Sequence, residues 1–353
     1  MNREAGKQTY EFLRVLTDRI ISGGIITREE ARSIVSLHTH EEIVMLICHA
    51  TMLRNYFKGA QIDLCAIVNA KSGRCTEDCI FCAQSARYPT EVEAYPLLEA
   101  AEVIKKAREA EGAGAVRFGI VTSGRGILSG SELASVCASI ERVRAETHLV
   151  PCASLGVAGD EHIRCLRDAG LQRYHHNLET AESHFTLVCS SHSYQDRVST
   201  IHAAKRAGLE VCAGGIFGLG ESPQQRVELA IALRELDVDS VPLNFLNPVR
   251  GTPAEQYPLV APLEILKIIA LFRFVLPAKD IRVCGGREAG LRTLQPLMYL
   301  AGANGTMTGN YLTTSGRNPD IDIQEIKDLA LELLFLDDGP AGRRPAGVHS
   351  ERW

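Results

Sequence analysis

Between Ile62 and Leu336 the sequence alternates short apolar runs with longer amphipathic ones, eight of each. The short runs are Ile62–Ala70, Ala115–Val121, Leu149–Leu155, Gln172–Leu178, Glu210–Phe217, Ser240–Leu246, Ile281–Cys284 and Gly302–Met307. The segments between and after them carry helical periodicity: Leu97–Glu111, Ser131–Glu146, Glu161–Ala169, Tyr194–Ala207, Pro223–Leu236, Pro262–Leu276, Arg287–Tyr299 and Ile323–Leu336. Short strands that alternate with helices and carry near-continuous apolar character belong to parallel sheets covered on both faces. Eight such units in roughly 270 residues predict a closed (β/α)8 barrel of TIM type. A doubly wound open sheet is the competing architecture.

Residues 1–58 read as an N-terminal helical lead-in, residues 59–320 as the barrel, and residues 321–353 as a C-terminal helix with a loose tail from Asp337. Within the lead-in, Thr27 followed by Glu30 is a capping-box pattern that opens an amphipathic run through Val35. The first residues mix Arg3, Glu4, Lys7, Glu11, Arg14, Asp18 and Arg19, which no secretory signal tolerates, so the expected location is cytoplasmic.

Composition narrows the function. The chain has 353 residues and a formal net charge of −5, which argues against a protein that coats nucleic acid or binds a membrane surface through basic patches. No apolar run approaches the ~18 residues of a membrane helix. Eleven cysteines in a chain expected in a reducing compartment point to metal or redox chemistry, and an odd number fits a disulfide framework badly.

Three of them fall in Cys75-Thr76-Glu77-Asp78-Cys79-Ile80-Phe81-Cys82, just after the first strand. That is the C-terminal mouth, where barrel enzymes place their chemistry. Closed zinc sites use four ligands, usually as two pairs, and no second pair follows here. Three thiolates on a 4Fe–4S cluster leave one iron open for an outside ligand. A zinc-stabilised loop is the alternative.

Four more, Cys65, Cys152, Cys212 and Cys284, lie in the first, third, fifth and seventh strands. A layer of inward side chains in such a barrel comes from alternate strands, so these four sulfurs can meet around the axis and hold a second cluster. Four separate core cysteines are the alternative. Cys48, Cys137, Cys165 and Cys189 read as packing residues.

The spacing of the first three cysteines, after a first barrel strand, resembles the radical S-adenosylmethionine (radical SAM) superfamily. A longer ordered set tightens the match: Ala83-Gln84-Ser85-Ala86-Arg87-Tyr88, His176-Asn177-Leu178-Glu179-Thr180, Tyr194-Gln195-Asp196-Arg197, Val211-Cys212-Ala213-Gly214-Gly215-Ile216, Gly218-Leu219-Gly220-Glu221, Val241-Pro242-Leu243-Asn244, Arg250-Gly251-Thr252-Pro253, Gly285-Gly286-Arg287-Glu288, Ala301-Gly302-Ala303-Asn304 and Leu312-Thr313-Thr314. Together, over roughly residues 60–320, these resemble the biotin synthase family.

The resemblance implies a sulfurtransferase that inserts sulfur into dethiobiotin, using adenosyl radicals and an auxiliary iron–sulfur cluster as sulfur donor. Carried over by motif, Cys75, Cys79 and Cys82 hold the 4Fe–4S cluster. Asn177 and Glu179 meet S-adenosyl-L-methionine and the substrate region, and Arg197 pairs with the cofactor's carboxylate. Asn244 binds the ureido ring of dethiobiotin, and Thr313 and Thr314 help hold its carboxylate tail. Asn177, Glu179 and Asn244 are thus the expected catalytic set. The resemblance also implies a homodimer and a reductant protein such as flavodoxin or ferredoxin, with neither nucleic acid nor membrane as partner. Each residue has a plainer role open to it: strand-end hydrogen bonding for Asn177, Glu179 and Asn244, an exposed helix position for Arg197, loop hydroxyls for Thr313 and Thr314, and a plain turn for Gly218–Gly220.

Two departures from the family pattern stand out. The well-known form uses three barrel cysteines and an arginine on a 2Fe–2S cluster. Here Gly119 stands at the first of those cysteines, Cys152 and Cys212 match the other two, and Arg282 matches the arginine. Cys65 and Cys284 are added. The pattern implies the second type, typical of anaerobes, with a 4Fe–5S cluster on Cys65, Cys152, Cys212 and Cys284; Arg282 is a ligand only if the 2Fe–2S type applies. The usual Asn-His-Asn-Leu-Asp is His175-His176-Asn177-Leu178-Glu179 here, with His175 read as a core histidine and a proton relay as its alternative. The competing functions are another radical enzyme of the same branch, of the hydrogenase-maturation or methylornithine synthase type, and a non-catalytic iron–sulfur scaffold.

Overall fold

A computed structural model describes residues 3–126 and 129–335. The tail from Asp337 and the end of the Ile323–Leu336 segment lie outside the described residues.

Among the described residues, ten strands form one parallel array: β1 Gln61–Lys71, β2 Arg117–Thr122, β3 Val150–Ser154, β4 Arg173–His175, β5 Glu210–Cys212, β6 Gly215–Phe217, β7 Ser240–Phe245, β8 Asp280–Val283, β9 Gly305–Met307 and β10 Glu332–Leu333. β1 pairs with both β2 and β9, with Cys65 opposite Arg117 on one side and Met307 on the other, so the sheet closes on itself. β5 and β6 are two halves of one stave, since Cys212 faces Ser240 and Gly215 faces Leu243 in a single register along β7. The barrel therefore has eight staves, as the alternation predicts. Gly214 stands at the break, where the backbones approach so closely that a Cβ would sit 1.9 Å from the carbonyl oxygen of Pro242.

Two expected helices differ in detail. Arg287–Tyr299 is broken into Arg287–Leu291, a 3-10 turn Arg292–Leu294 and Leu297–Leu300. Arg292 takes a positive φ of 54°, which ends the first of these turns. The last helix runs Pro319–Asp328, opened by the Asn318 side chain accepting from the Asp320 N–H, with proline in the first turn. The chain beyond it returns as β10 beside the start of β1.

The lead-in forms helices Arg3–Ile21, Arg28–Ser36 and His40–Lys58, and the Thr27–Glu30 capping box is present. They pack against Pro223–Glu235 and Pro262–Val275. The second of these is buried from Ile265 through Val275, on every face, because the lead-in covers the side that would otherwise meet water. Lys267 inside this contact is satisfied by the carbonyls of Val35 and Leu37 and by Glu264 at 2.8 Å. No helix among the described residues is long and apolar enough to cross a membrane.

Candidate active site

Side chains alternate across a strand, so every second residue of each stave faces the axis. The inward set is Cys65 and Ile67, then Arg117, Gly119 and Val121, then Cys152 and Ser154, then Arg173 and His175, then Cys212, Pro242 and Asn244, then Arg282 and Cys284, and Met307. With Asn177, Glu179, Thr313 and Thr314 they line one cavity of about 390 Å³ that reaches up to Phe81 and Ala83 of the cysteine loop.

Cys65, Cys152, Cys212 and Cys284 all open onto this cavity, on the staves the sequence assigns. The thiols of Cys65 and Cys284 are neighbours. The Cys284 thiol beside it and the charge of Arg282 hold the Cys65 thiol below its ordinary value, whereas the Cys65 neighbour and burial raise Cys284. Burial raises Cys152 and Cys212, opposed by the nearby arginines. Gly119 lies opposite Cys152, and a Cβ there would meet the Ile67 side chain at 3.1 Å, so any larger residue would have to displace Ile67.

Beneath the sulfurs lies a buried ionic layer. Arg282 donates through Nε to Ser240 Oγ at 3.0 Å, through Nη1 to the Asp63 carbonyl at 3.3 Å, and through Nη2 to the Asp63 carboxylate. Arg117 Nε shares that carboxylate oxygen at 2.8 Å, and Arg173 pairs with Glu210 at 2.8 Å. Arg117 Nη1 and Asp63 Oδ1 are buried without a hydrogen bond.

The three-cysteine loop hangs on the segment 188–192. The Ile80 N–H donates to the Val188 carbonyl, the Asp78 N–H to Ser191 Oγ, and the Asp78 carboxylate accepts the N–H groups of Ser190 and Ser191. Cys75 and Cys79 are buried and Cys82 is half-buried. Burial raises Cys75, and pushes Cys82 up to about 11. Among the described residues the one trio of donors close enough for a single ion is Cys79, Cys189 and His192. The three loop thiols do not converge on one ion. Three thiolates suit a cluster, in which each binds a separate iron and one iron stays open, whereas a closed zinc tetrahedron needs a fourth ligand.

Two residues of this site carry no sequence signal that separates them from packing. Cys189 does pack, buried with Cys79 and Phe185, and its sulfur also lies 3.7 Å from Cys79 Sγ and 3.3 Å from His192 Nδ1. His192 bridges Glu77 Oε2 and the Nε of Arg197. Only the proximity of both to a loop far away in sequence reveals them. Cys48 and Cys165, also read as packing residues, are exposed on helices.

The remaining expected residues are placed as follows. Glu179 holds a positive φ of 68°, a conformation kept at sites where the surroundings dictate it. Its Oε1 lies 3.3 Å from Arg197 Nη1 and its Oε2 accepts from Asn177 Nδ2 at 3.3 Å. Arg197 is buried, not exposed, and lies between Glu179, which lines the cavity, and the His192 ring that meets the cysteine loop. Asn177 Oδ1 accepts the Gly214 N–H, and Asn244 donates to the Gly215 carbonyl while accepting the Gly285 N–H. Each amide keeps further donor and acceptor capacity toward the cavity. Thr313 and Thr314 are exposed at its rim. The N–H groups of Gly218 and Leu219 are taken by the Glu221 carboxylate, which makes that run a self-satisfied turn. His175 is half-buried and lines the cavity, His176 is buried, and loss of water around them lowers both rings.

Residues 70–233 match the Radical SAM superfamily, and residues 242–332 match the Biotin and Thiamin Synthesis associated domain. Biotin synthase of Pelobacter propionicus is 52% identical over 91% of this chain and 97% of its own length. That of Geobacter sulfurreducens is 52% identical over 90% and 96%, and that of Pelotomaculum thermopropionicum 51% over 90% and 99%. Among solved structures, methylornithine synthase superposes with a TM-score of 0.80 at 22% identity, covering 91% of this chain and 97% of the other. The FeFe-hydrogenase maturase HydG from Carboxydothermus hydrogenoformans gives 0.77 at 16%, covering 95% and 84%. At these identities the two structures share the fold alone. Identity near half over nine-tenths of the chain, joined to both domain matches and a barrel with three cysteines at its mouth and four inside, makes this chain a member of the biotin synthase family of radical SAM enzymes.

Proposed function

We propose that this chain closes the thiolane ring of biotin by inserting sulfur into dethiobiotin, with the sulfur drawn from an auxiliary cluster on Cys65, Cys152, Cys212 and Cys284. The observation that carries the reading is that these four thiols line the same cavity as Asn177, Glu179 and Asn244, beneath the three-cysteine loop. When bound, the 4Fe–4S cluster on Cys75, Cys79 and Cys82 and S-adenosyl-L-methionine supply a hydrogen-abstracting radical, and the auxiliary cluster supplies sulfur.

The residues themselves bind, orient and exclude water. Arg197 offers its guanidinium to the cofactor's carboxylate, and Asn177 and Glu179 face its ribose. Asn244, held at both ends of its amide, directs its remaining hydrogen-bonding capacity at the ureido ring, and Thr313 and Thr314 meet the carboxylate tail at the rim. The apolar wall of Ile67, Val121, Ile216 and Met307 keeps water from the reacting carbons.

The donor set favours the four-cysteine type. Asp63 and Ser240 engage all three guanidinium nitrogens of Arg282, and the Asp63 carboxylate balances its charge, which favours an ion-pair role for it over iron ligation. We assign the auxiliary cluster as 4Fe–5S, the reductant as a flavodoxin or ferredoxin, the assembly as a homodimer and the location as cytoplasmic. Anaerobic incubation with dethiobiotin, S-adenosyl-L-methionine and reductant tests the reading: biotin and 5′-deoxyadenosine should both form. An iron–sulfur scaffold would release neither, and a different radical enzyme would release the second without the first.

A further inference from the structure

Arg197 stands in the first turn of the helix Tyr194–Arg206 and carries a long side chain with several rotatable bonds. Its guanidinium is nevertheless fixed on two sides. Nη1 donates to the Asn177 carbonyl at 2.8 Å and lies 3.3 Å from Glu179 Oε1, and Nε donates to His192 Nε2 at 3.0 Å. Because His192 accepts at Nε2, its ring proton sits on Nδ1, which donates to Glu77 Oε2 at 2.5 Å. Glu77 lies between Cys75 and Cys79 in the cysteine loop. One buried ring thus ties that loop to the arginine. The ring packs edge-on against Phe185, centroids 5.7 Å apart, and Phe185 also carries the Arg197 guanidinium over its face at 5.7 Å. Nη2 takes part in none of the bonds that hold Arg197, which leaves it as the donor on offer.

We propose that His192 is a positioning residue that aims Arg197 Nη2 at the carboxylate of S-adenosyl-L-methionine, with Glu77 holding the ring in the tautomer that accepts from Arg197. The inference rests on the reading of Arg197 as the carboxylate partner and adds to it the residue that sets its angle. A guanidinium anchored through Nε and Nη1 has lost its side-chain freedom before the cofactor arrives, so less entropy is lost on binding. The same chain of bonds makes the arginine follow the loop that carries the cluster thiolates, so cofactor anchor and initiator move as one body.

Equilibrium binding to the anaerobically loaded enzyme tests this, with S-adenosyl-L-methionine and with decarboxylated S-adenosylmethionine, which differ only in the carboxylate. His192→Phe keeps the ring against Phe185 but removes the acceptor. It should weaken S-adenosyl-L-methionine about tenfold, on the scale of one misaligned charge-assisted hydrogen bond, and leave the decarboxylated compound within about twofold of wild type. His192→Gln, whose Oε1 restores an acceptor for Arg197, should recover most of the affinity. Where the Phe variant does not take up its cluster, His192→Ala read against His192→Gln gives the same comparison. Equal weakening of both compounds, or unchanged binding of the first, overturns the inference. Failure of the underlying reading looks different: Arg197→Met would then bind S-adenosyl-L-methionine like the wild type.

Discussion

Arg282 places its guanidinium on the carboxylate of Asp63, two residues before Cys65 on the same strand, and Arg117 shares the same oxygen at 2.8 Å. An arginine that lines the same cavity as the four thiols is thereby tied into an ion pair. The strand that adds a thiolate at Cys65 also supplies the acid that ties the arginine down.

Asp63 should make the protein acid-sensitive. Burial alone would raise its carboxyl, but Arg282 and Arg117 outweigh burial and hold it below the usual range. For a carboxyl depressed in the folded state, the stability it contributes is complete above its unfolded value near pH 4 and is lost as pH falls through the folded value. Asp63→Asn leaves two buried arginines without their shared counter-charge and should cost about 3–5 kcal/mol at neutral pH. Denaturation of the two proteins as a function of pH checks this: the gap should be widest at neutral pH and close as the wild type is acidified below about pH 4.

The iron inventory should follow the two cysteine sets. Anaerobically loaded protein should hold about eight irons per chain, against about six for a 2Fe–2S auxiliary cluster. Cys65→Ala and Cys284→Ala should each lose the auxiliary share while 5′-deoxyadenosine is still released, read by iron analysis beside product chromatography. Cys79→Ala should do the reverse, sparing auxiliary iron and abolishing 5′-deoxyadenosine.

Asn244 bonds the Gly215 carbonyl and the Gly285 N–H, so it is rigid before substrate arrives. Asn244→Ala should weaken dethiobiotin binding about tenfold, the range of one or two buried hydrogen bonds, and change S-adenosyl-L-methionine binding less than about twofold. Calorimetric titration with each ligand separates the two effects.

The Glu179 carboxylate reaches both Arg197 and Asn177. Glu179→Gln keeps the shape and removes the charge, and should cost about tenfold in cofactor affinity. Glu179→Asp restores the charge one methylene short and should fall between the two in the same titration.

Much of the molecule could be read before its coordinates. The barrel followed from periodicity, because buried parallel strands and amphipathic helices leave different spacings. The inward parity of Cys65, Cys152, Cys212 and Cys284 followed from strand alternation and stave number. The ionic layer was less legible. Asp63, Arg117, Arg173 and Glu210 are charged residues inside apolar runs, and only the closed barrel shows them pairing across staves. Cys189 and His192 lay further out of sight, since a helix-end cysteine and a loop histidine become part of the site only when segment 188–192 folds against a loop a hundred residues earlier. The broken Arg287–Tyr299 helix shows the limit of periodicity, which marks an apolar face but is blind to a positive φ at Arg292.

The central claim is that the inserted sulfur comes from the cluster on the four barrel cysteines. Enzyme reconstituted anaerobically with iron and ³⁴S-labelled sulfide, then freed of loose sulfide and given one turnover with dethiobiotin, measures this by mass spectrometry of the product. The account predicts biotin carrying ³⁴S from the wild type and none from Cys65→Ala, although both release 5′-deoxyadenosine. Unlabelled biotin from the wild type, or undiminished biotin from Cys65→Ala, would contradict it.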